Sequence, residues 1–281
     1  MRSELCIYDL ANGKIEIVLT TDRLIEAPNW SNDGKTLIVN GDGHIYCVAL
    51  AGKAEMVMID TGFAVTCNND HGLSPDGREM VISDGTENGH SCIYILPASG
   101  GTPRKVTDKT PSYWHGWSPD GRTPAYCAER SGIFDIYTCD VGGSTETRLT
   151  DGKGHADGAD YTPDGKWIWL NSSRSGSAQL WRLHPDGSGF QQMTDDSRVN
   201  WFPHPSPDGQ HVLYLAYETG IDGHPHEKNV ELRLMPAEGG KPRTWWPCSV
   251  ARAQSTYRAG SQALAALPSC GTGPDASAPK V

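Results

Sequence analysis

Three of the ten histidines in this 281-residue chain recur at matching places. His71 and His115 lie three residues before the serine of a repeated four-residue turn, and His204 lies two before it. Asp157 lies five before the corresponding Thr162. Three imidazoles and a carboxylate brought to one axis suit Zn²⁺ or Mn²⁺ first, and Fe²⁺ as well. With a coordination position left open, such a metal acidifies a bound water and polarises a substrate oxygen. Arg130 or Arg174 would then clamp an anionic group, and Glu129 would act as general acid or base. His90, His155, Asp160, His224 and His226 are further candidates, the last two within a polar insertion spanning roughly 218–229. Plainer readings stand beside these. Each histidine packs between neighbouring repeats, Glu129 and Arg130 form a surface ion pair, and the insertion is a solvated loop.

The elements that must position these residues are set by the turn itself. It appears as Ser31-Asn32-Asp33-Gly34, Ser74-Pro75-Asp76-Gly77, Ser118-Pro119-Asp120-Gly121, Thr162-Pro163-Asp164-Gly165 and Ser206-Pro207-Asp208-Gly209. The starts are 43, 44, 44 and 44 residues apart, and a fixed period of this length marks a repeat architecture. Proline presets φ at the corner, aspartate bonds back to the backbone, and glycine takes the positive φ. The five aspartates are therefore turn formers. Around each turn the apolar alternation has period two, as in Thr36-Leu37-Ile38-Val39 and Trp167-Ile168-Trp169-Leu170. Four short antiparallel strands per repeat make a propeller blade. Trp30, Trp117 and Tyr161, at the ends of inner strands, are expected in the core between blades.

Residues 5–10 and 14–19 read as two outer strands joined at Ala11-Asn12-Gly13. Five turns plus this half-blade predict an all-β, six-bladed β-propeller with its last blade incomplete. The propeller spans 1–243, and 244–281 is an atypical tail rich in Ala, Ser, Pro and Gly. An open last blade exposes a sheet edge that a homodimer could cover.

The net charge of −10 and the absence of a Lys/Arg run argue against nucleic acid as a partner. No apolar stretch is long enough to span a bilayer, so no membrane partner is expected. The start lacks a signal-peptide pattern, which points to the cytoplasm, or to the periplasm if the chain has been trimmed. Eight cysteines show no CxxC pair and read as buried thiols. His44, His184 and His211 fall on other elements and read as structural. No nucleophile elbow or phosphate loop is present.

The turns, with Asn69-Asp70-His71-Gly72-Leu73, Tyr113-Trp114-His115-Gly116-Trp117, Asn200-Trp201-Phe202-Pro203-His204 and Leu232-Arg233-Leu234-Met235-Pro236, resemble the TolB-like propellers built of PD40 or WD40-like repeats. The resemblance covers 1 to about 243 and implies the fold more firmly than a function. That family continues with a segment like GGQGTINVPSW and a sixth turn, where this chain has Trp245 to Gly260. Reading the same stretch in a shifted frame can give VVALFGGQGTINVPSW, so a frameshifted last half-blade is expected. Likeness to propeller lyases with a His-ligated metal favours a metal-dependent enzyme. The leading expectation is a hydrolase of ester or phosphoester type, phosphotriesterase-like in its chemistry, acting on a small molecule. A metal-dependent uronate or oligosaccharide lyase and a non-catalytic TolB-like protein- or peptide-binding scaffold are the alternatives.

Overall fold

The computed structural model describes residues 2–10, 12–143, 145–225, 228–250, 255–258 and 261–264, and from 245 onward only their strand backbone. A short hairpin opens the chain, β1 (Ser3–Tyr8) with β2 (Ile15–Thr21). Blade one is β3 (Glu26–Trp30), β4 (Thr36–Gly41), β5 (His44–Ala49) and β6 (Met56–Met58). Blade two is β7 (Cys67–Leu73), β8 (Glu79–Asp84), β9 (Cys92–Pro97) and β10 (Arg104–Lys105). Blade three is β11 (Ser112–Trp117), β12 (Pro124–Arg130), β13 (Ile133–Thr138) and β14 (Thr147–Arg148). Blade four is β15 (Ala156–Tyr161), β16 (Ile168–Ser172), β17 (Gln179–Leu183) and β18 (Gln191–Gln192). Blade five is β19 (Val199–Pro205), β20 (His211–Tyr217), β21 (Lys228–Pro236) and β22 (Arg243–Val250). Each is an antiparallel four-stranded sheet in chain order. No helix occurs among the described residues.

The repeated turn forms as its chemistry requires. In all five copies the Ser or Thr hydroxyl donates to the aspartate two residues on, at 2.5–2.7 Å. The same hydroxyl accepts from the backbone N–H five residues on, as Ser118 does from Thr123 at 2.9 Å. The glycines sit at φ of 65–71°, a region that L side chains resist.

The core lies between blades rather than within them. Val81, Ile93 and Ile95 of blade two pack on Trp114, Trp117 and Tyr126 of blade three. Ala125, Cys127 and Ile136 of blade three pack on Ala159, Tyr161 and Leu170 of blade four. Fully burying a side chain of this size contributes about 1.5–3 kcal/mol. Trp117 and Tyr161 are buried as expected, and Trp30 packs against the first blade's cluster.

Among the described residues there are five four-stranded blades, not the six expected, and the remaining strands are two separate hairpins. One is β1–β2; the other is β23 (Ser255–Arg258) with β24 (Ser261–Leu264). β24 lies alongside β1 and β23 meets β3 and β19, so both hairpins occupy the sector between the fifth and first blades. They do not join into one sheet. β22 runs across residue 243 and completes blade five. Most of 251–281, including much of the stretch expected to be frameshifted, lies outside the described residues.

One irregularity is common to all five inner strands and bears on the site. Each carries a register shift just before the turn: at Glu26/Asn29, Cys67/His71, Trp114/Gly116, Asp157/Asp160 and Trp201/His204. Bulges of this kind bend a strand and re-aim its side chains. Here they separate the polar residues of the inner strands into two levels along the propeller axis.

Candidate axial site

The upper level is a cavity of about 220 Å³. Its walls come from the inner strands and loops of blades two to five: Asn69 and Asp70, Tyr113 and His115, His155 and Asp157, then Phe202 and His224. Cys127 reaches it from the second strand of blade three. Among the described residues, neither Lys nor Arg lines it.

Asp157 is the centre of this chamber. Its Oδ1 accepts from Gly158 N–H at 2.8 Å and lies 2.7 Å from His115 Nε2. Its Oδ2 faces His155 Nε2 at 3.7 Å. Both partners of the His115–Asp157 pair are buried. Burial works to raise the Asp157 pKa, but the charge of His115 and hydrogen bonds from His115 and His155 outweigh it, and the carboxyl is held well below its ordinary range. Burial likewise works to lower the pKa of His115, but the Asp157 carboxylate, helped by Asp70 and Asp160, raises it above its ordinary value. The chamber thus holds a buried His115–Asp157 pair, with Asp70 in its wall.

His155 stands at the chamber rim, partly exposed, with its ring stacked on Phe134 at 5.0 Å and edge-on to Trp201 at 5.8 Å. The Cys127 thiol donates weakly to Ala156 O at 3.2 Å. Burial, then the nearby Asp157, pushes that thiol well above its ordinary pKa. Cys127 Sγ, a His155 ring nitrogen and an Asp157 oxygen all lie within 4.8 Å of one another.

The lower level is a second cavity, also about 220 Å³, lined by Trp30, Trp114 and Trp117 with His71, Asp160 and His204. His204 Nδ1 pairs with Asp160 Oδ2 at 3.0 Å. His71 is 1% exposed, and neither ring nitrogen makes a well-formed hydrogen bond. Burial drives its pKa down to about 4, with backbone groups of Ile38 and Asn69 opposing weakly. Gly72 has no room for a side chain, since a Cβ there would lie 2.3 Å from the Trp114 ring. His115 lines both chambers and forms the partition between them.

The expected metal set is therefore divided. Asp157 and His115 belong to the upper chamber, His71 and His204 to the lower one, and the three imidazoles do not gather into one ligand cluster. Among the described residues the sole cluster with metal-ligand spacing is Cys127, His155 and Asp157. Of the additional candidates, His155 and His224 line the upper chamber and Asp160 the lower one. His90 is exposed and lines neither. His226 lies outside the described residues. The expected anion clamp is not in place either. Arg130 is engaged by Glu146, with Ser112 Oγ and the carbonyls of Pro111 and Glu129. Arg174 lies over the rings of Phe190 and Trp181, 3.4 Å from Asp151. Glu129 lines neither chamber.

Cys127 is the residue that sequence reasoning passed over, because a cysteine in a strand reads as apolar. Repeat alignment holds the signal. Nine residues after the first turn residue stand Asn40, Ser83, Cys127 and Asn171. Each bonds the inner strand of the following blade: Asn40 to Cys67 O, Ser83 from Trp114 N, Cys127 to Ala156 O, and Asn171 from Phe202 N. A polar position occupied once by a thiol is worth reading as polar.

A family profile for the TolB β-propeller domain matches residues 110–235. An uncharacterized protein of Agrobacterium fabrum is 50% identical over 244 residues, covering 87% of this chain and 83% of its own length. The chain belongs to the TolB-like β-propeller family. A solved Agrobacterium tumefaciens structure, provisionally assigned as TolB, matches this TolB-like chain with a TM-score of 0.91 at 44% identity, covering 96% of this chain and 99% of that one. Tol-Pal system protein TolB of Francisella tularensis is 29% identical over 229 residues. The chain spans about half, 51%, of that relative's length. An oligogalacturonate lyase solved with manganese shares the fold alone, with a TM-score of 0.60 at 13% identity over 90% of this chain and 75% of that one. Family membership fixes the scaffold and assigns neither a metal nor a hydrolytic activity.

Proposed function

We propose that this TolB-like propeller is a binding module whose upper axial chamber recognises a cationic group. The observation that carries the reading is the lining of that chamber. Two carboxylates, Asp70 and Asp157, face it, and among the described residues no Lys or Arg does. Tyr113, Phe134 and Phe202 add ring faces and edges, which favour a cation further. A cavity of about 220 Å³ suits a single ion or the end of one side chain, not an oligosaccharide.

The hydrolase and lyase readings are less well served. Both call for an anion clamp beside the reacting group, and Arg130 and Arg174 are engaged by Glu146 and Asp151 away from the chamber. The likeness to TolB favours the periplasmic placement over the cytoplasmic one.

The test is a comparison of charge. Calorimetric titration with the tripeptides Ala-Lys-Ala and Ala-Glu-Ala should show binding of the first alone. Asp157→Asn should weaken it by about tenfold or more, the worth of one buried charge-assisted contact. Equal binding of both peptides would refute the reading.

A further inference from the structure

The geometry points to a soft divalent transition metal, Zn²⁺ foremost, held at the floor of the upper chamber by Cys127 Sγ, His155 and Asp157; this rests on the cation reading and gives the cation a chemical identity. Three donor atoms of different chemistry lie within 4.8 Å of one another. Asp157 offers the right oxygen. Its Oδ1 is already committed to Gly158 and His115, whereas Oδ2 faces His155 Nε2 at 3.7 Å. That Nε2 is shielded from solvent, and no hydrogen bond of ordinary length holds it. The Cys127 thiol gives up a weak contact to Ala156 O.

The surroundings suit a metal as well. His115 holds the non-ligating oxygen of Asp157, the kind of outer support that fixes a ligating carboxylate. The cavity above supplies the open coordination position that three-ligand zinc sites keep for water or an exchangeable ligand. Tetrahedral ligands sit ~3.4 Å apart, so closure needs a shift of about an ångström. His155 is the member free to make it, being 42% exposed at the rim while Asp157 is 12% exposed and Cys127 is in the core. A thiolate, an imidazole and one carboxylate select Zn²⁺ or Co²⁺ over Mg²⁺, Ca²⁺ and Mn²⁺.

The decisive variant is Cys127→Ser. Ser83 fills the equivalent position in blade two and bonds the next blade there, so the substitution keeps the inter-blade anchor while removing the sulfur. Chelator-treated full-length protein is titrated with Co²⁺ and followed in the near ultraviolet. Wild type should bind one equivalent, show thiolate-to-cobalt charge transfer, and release the Co²⁺ to Zn²⁺. Cys127→Ser should lose the band and weaken Co²⁺ by about 100-fold. His115→Gln should keep the band and weaken binding by about 10–100-fold. His71→Leu, in the other chamber, should change neither. No stoichiometric Co²⁺ in wild type, or a charge-transfer band that survives Cys127→Ser, overturns the inference. If Ala-Lys-Ala binds while Co²⁺ does not, the metal is excluded and the cation reading stands. If neither binds, both fall.

Discussion

His71 and His115 occupy the same place in neighbouring repeats, three residues before the turn serine, yet their chemistry is opposite. His115 meets the Asp157 carboxylate of the next blade at 2.7 Å, which raises its pKa above the ordinary value. His71 meets no such partner, is buried in the lower chamber, and is held neutral by that burial. The repeat fixes where a side chain stands along the axis. The neighbouring blade decides what it can do there. The lower chamber accordingly holds indoles with a His204–Asp160 pair, and the upper one holds the His115–Asp157 pair.

The comparison can be broken most severely at Asp157. Asp157→Ala leaves His115 buried without its counter-ion and should cost about 3–5 kcal/mol of stability, read by urea denaturation. A loss below ~1 kcal/mol would mean that the pair is solvated and that the chamber is not the charged site described.

Acid should separate the two histidines. The folded-state pKa of His71, about 4, lies below its unfolded value near 6.5. The unfolded chain therefore binds the extra proton first, and stability falls as pH drops from 6.5 toward 4, by up to about 3 kcal/mol from this residue. His71→Leu should flatten that limb. His115 has the opposite sign. Its raised pKa contributes stability below its unfolded pKa, and this is lost as pH rises through the folded value. Denaturation midpoints of the two single variants across pH 4–9 check both directions.

Smaller effects sharpen the structural half of the comparison. Gly72→Ala drives a methyl into the Trp114 ring and should cost about 1–3 kcal/mol while leaving ligand binding in the upper chamber intact. Ser118→Ala removes one turn hydroxyl that donates to Asp120 and accepts from Thr123, and should cost about 1 kcal/mol. Thermal melts with parallel Co²⁺ titrations read both.

The blades were legible in the sequence because the turn chemistry is local. Ser118, Asp120 and Gly121 close on one another within a few residues, and Trp117 fills the gap between blades from the strand's last position. The site was less legible because it depends on bulges and on contacts between blades. His204, two before its turn, descends to the lower chamber beside Asp160, while Asp157, five before, stays in the upper one. Nothing in their spacing separates those levels without the bulge between Asp157 and Asp160. The sequence offers Arg130 as an anion clamp or as the partner of Glu129, yet Glu146, sixteen residues away on the outer side, takes its guanidinium. The sixth blade was overcounted because a leading half-blade implies a closing half. The hairpin of β23 and β24 does reach the sector beside β1, but the sequence carries no sixth copy of the turn to organise it.

The central claim is that the upper chamber, and not the lower one, takes the positive charge. Imidazole signals of histidine-labelled protein, followed by NMR while Ala-Lys-Ala is added, test it directly. The rings of His115, His155 and His224 should move together and saturate, while those of His71 and His204 stay in place. Shifts confined to His71 and His204 would contradict it.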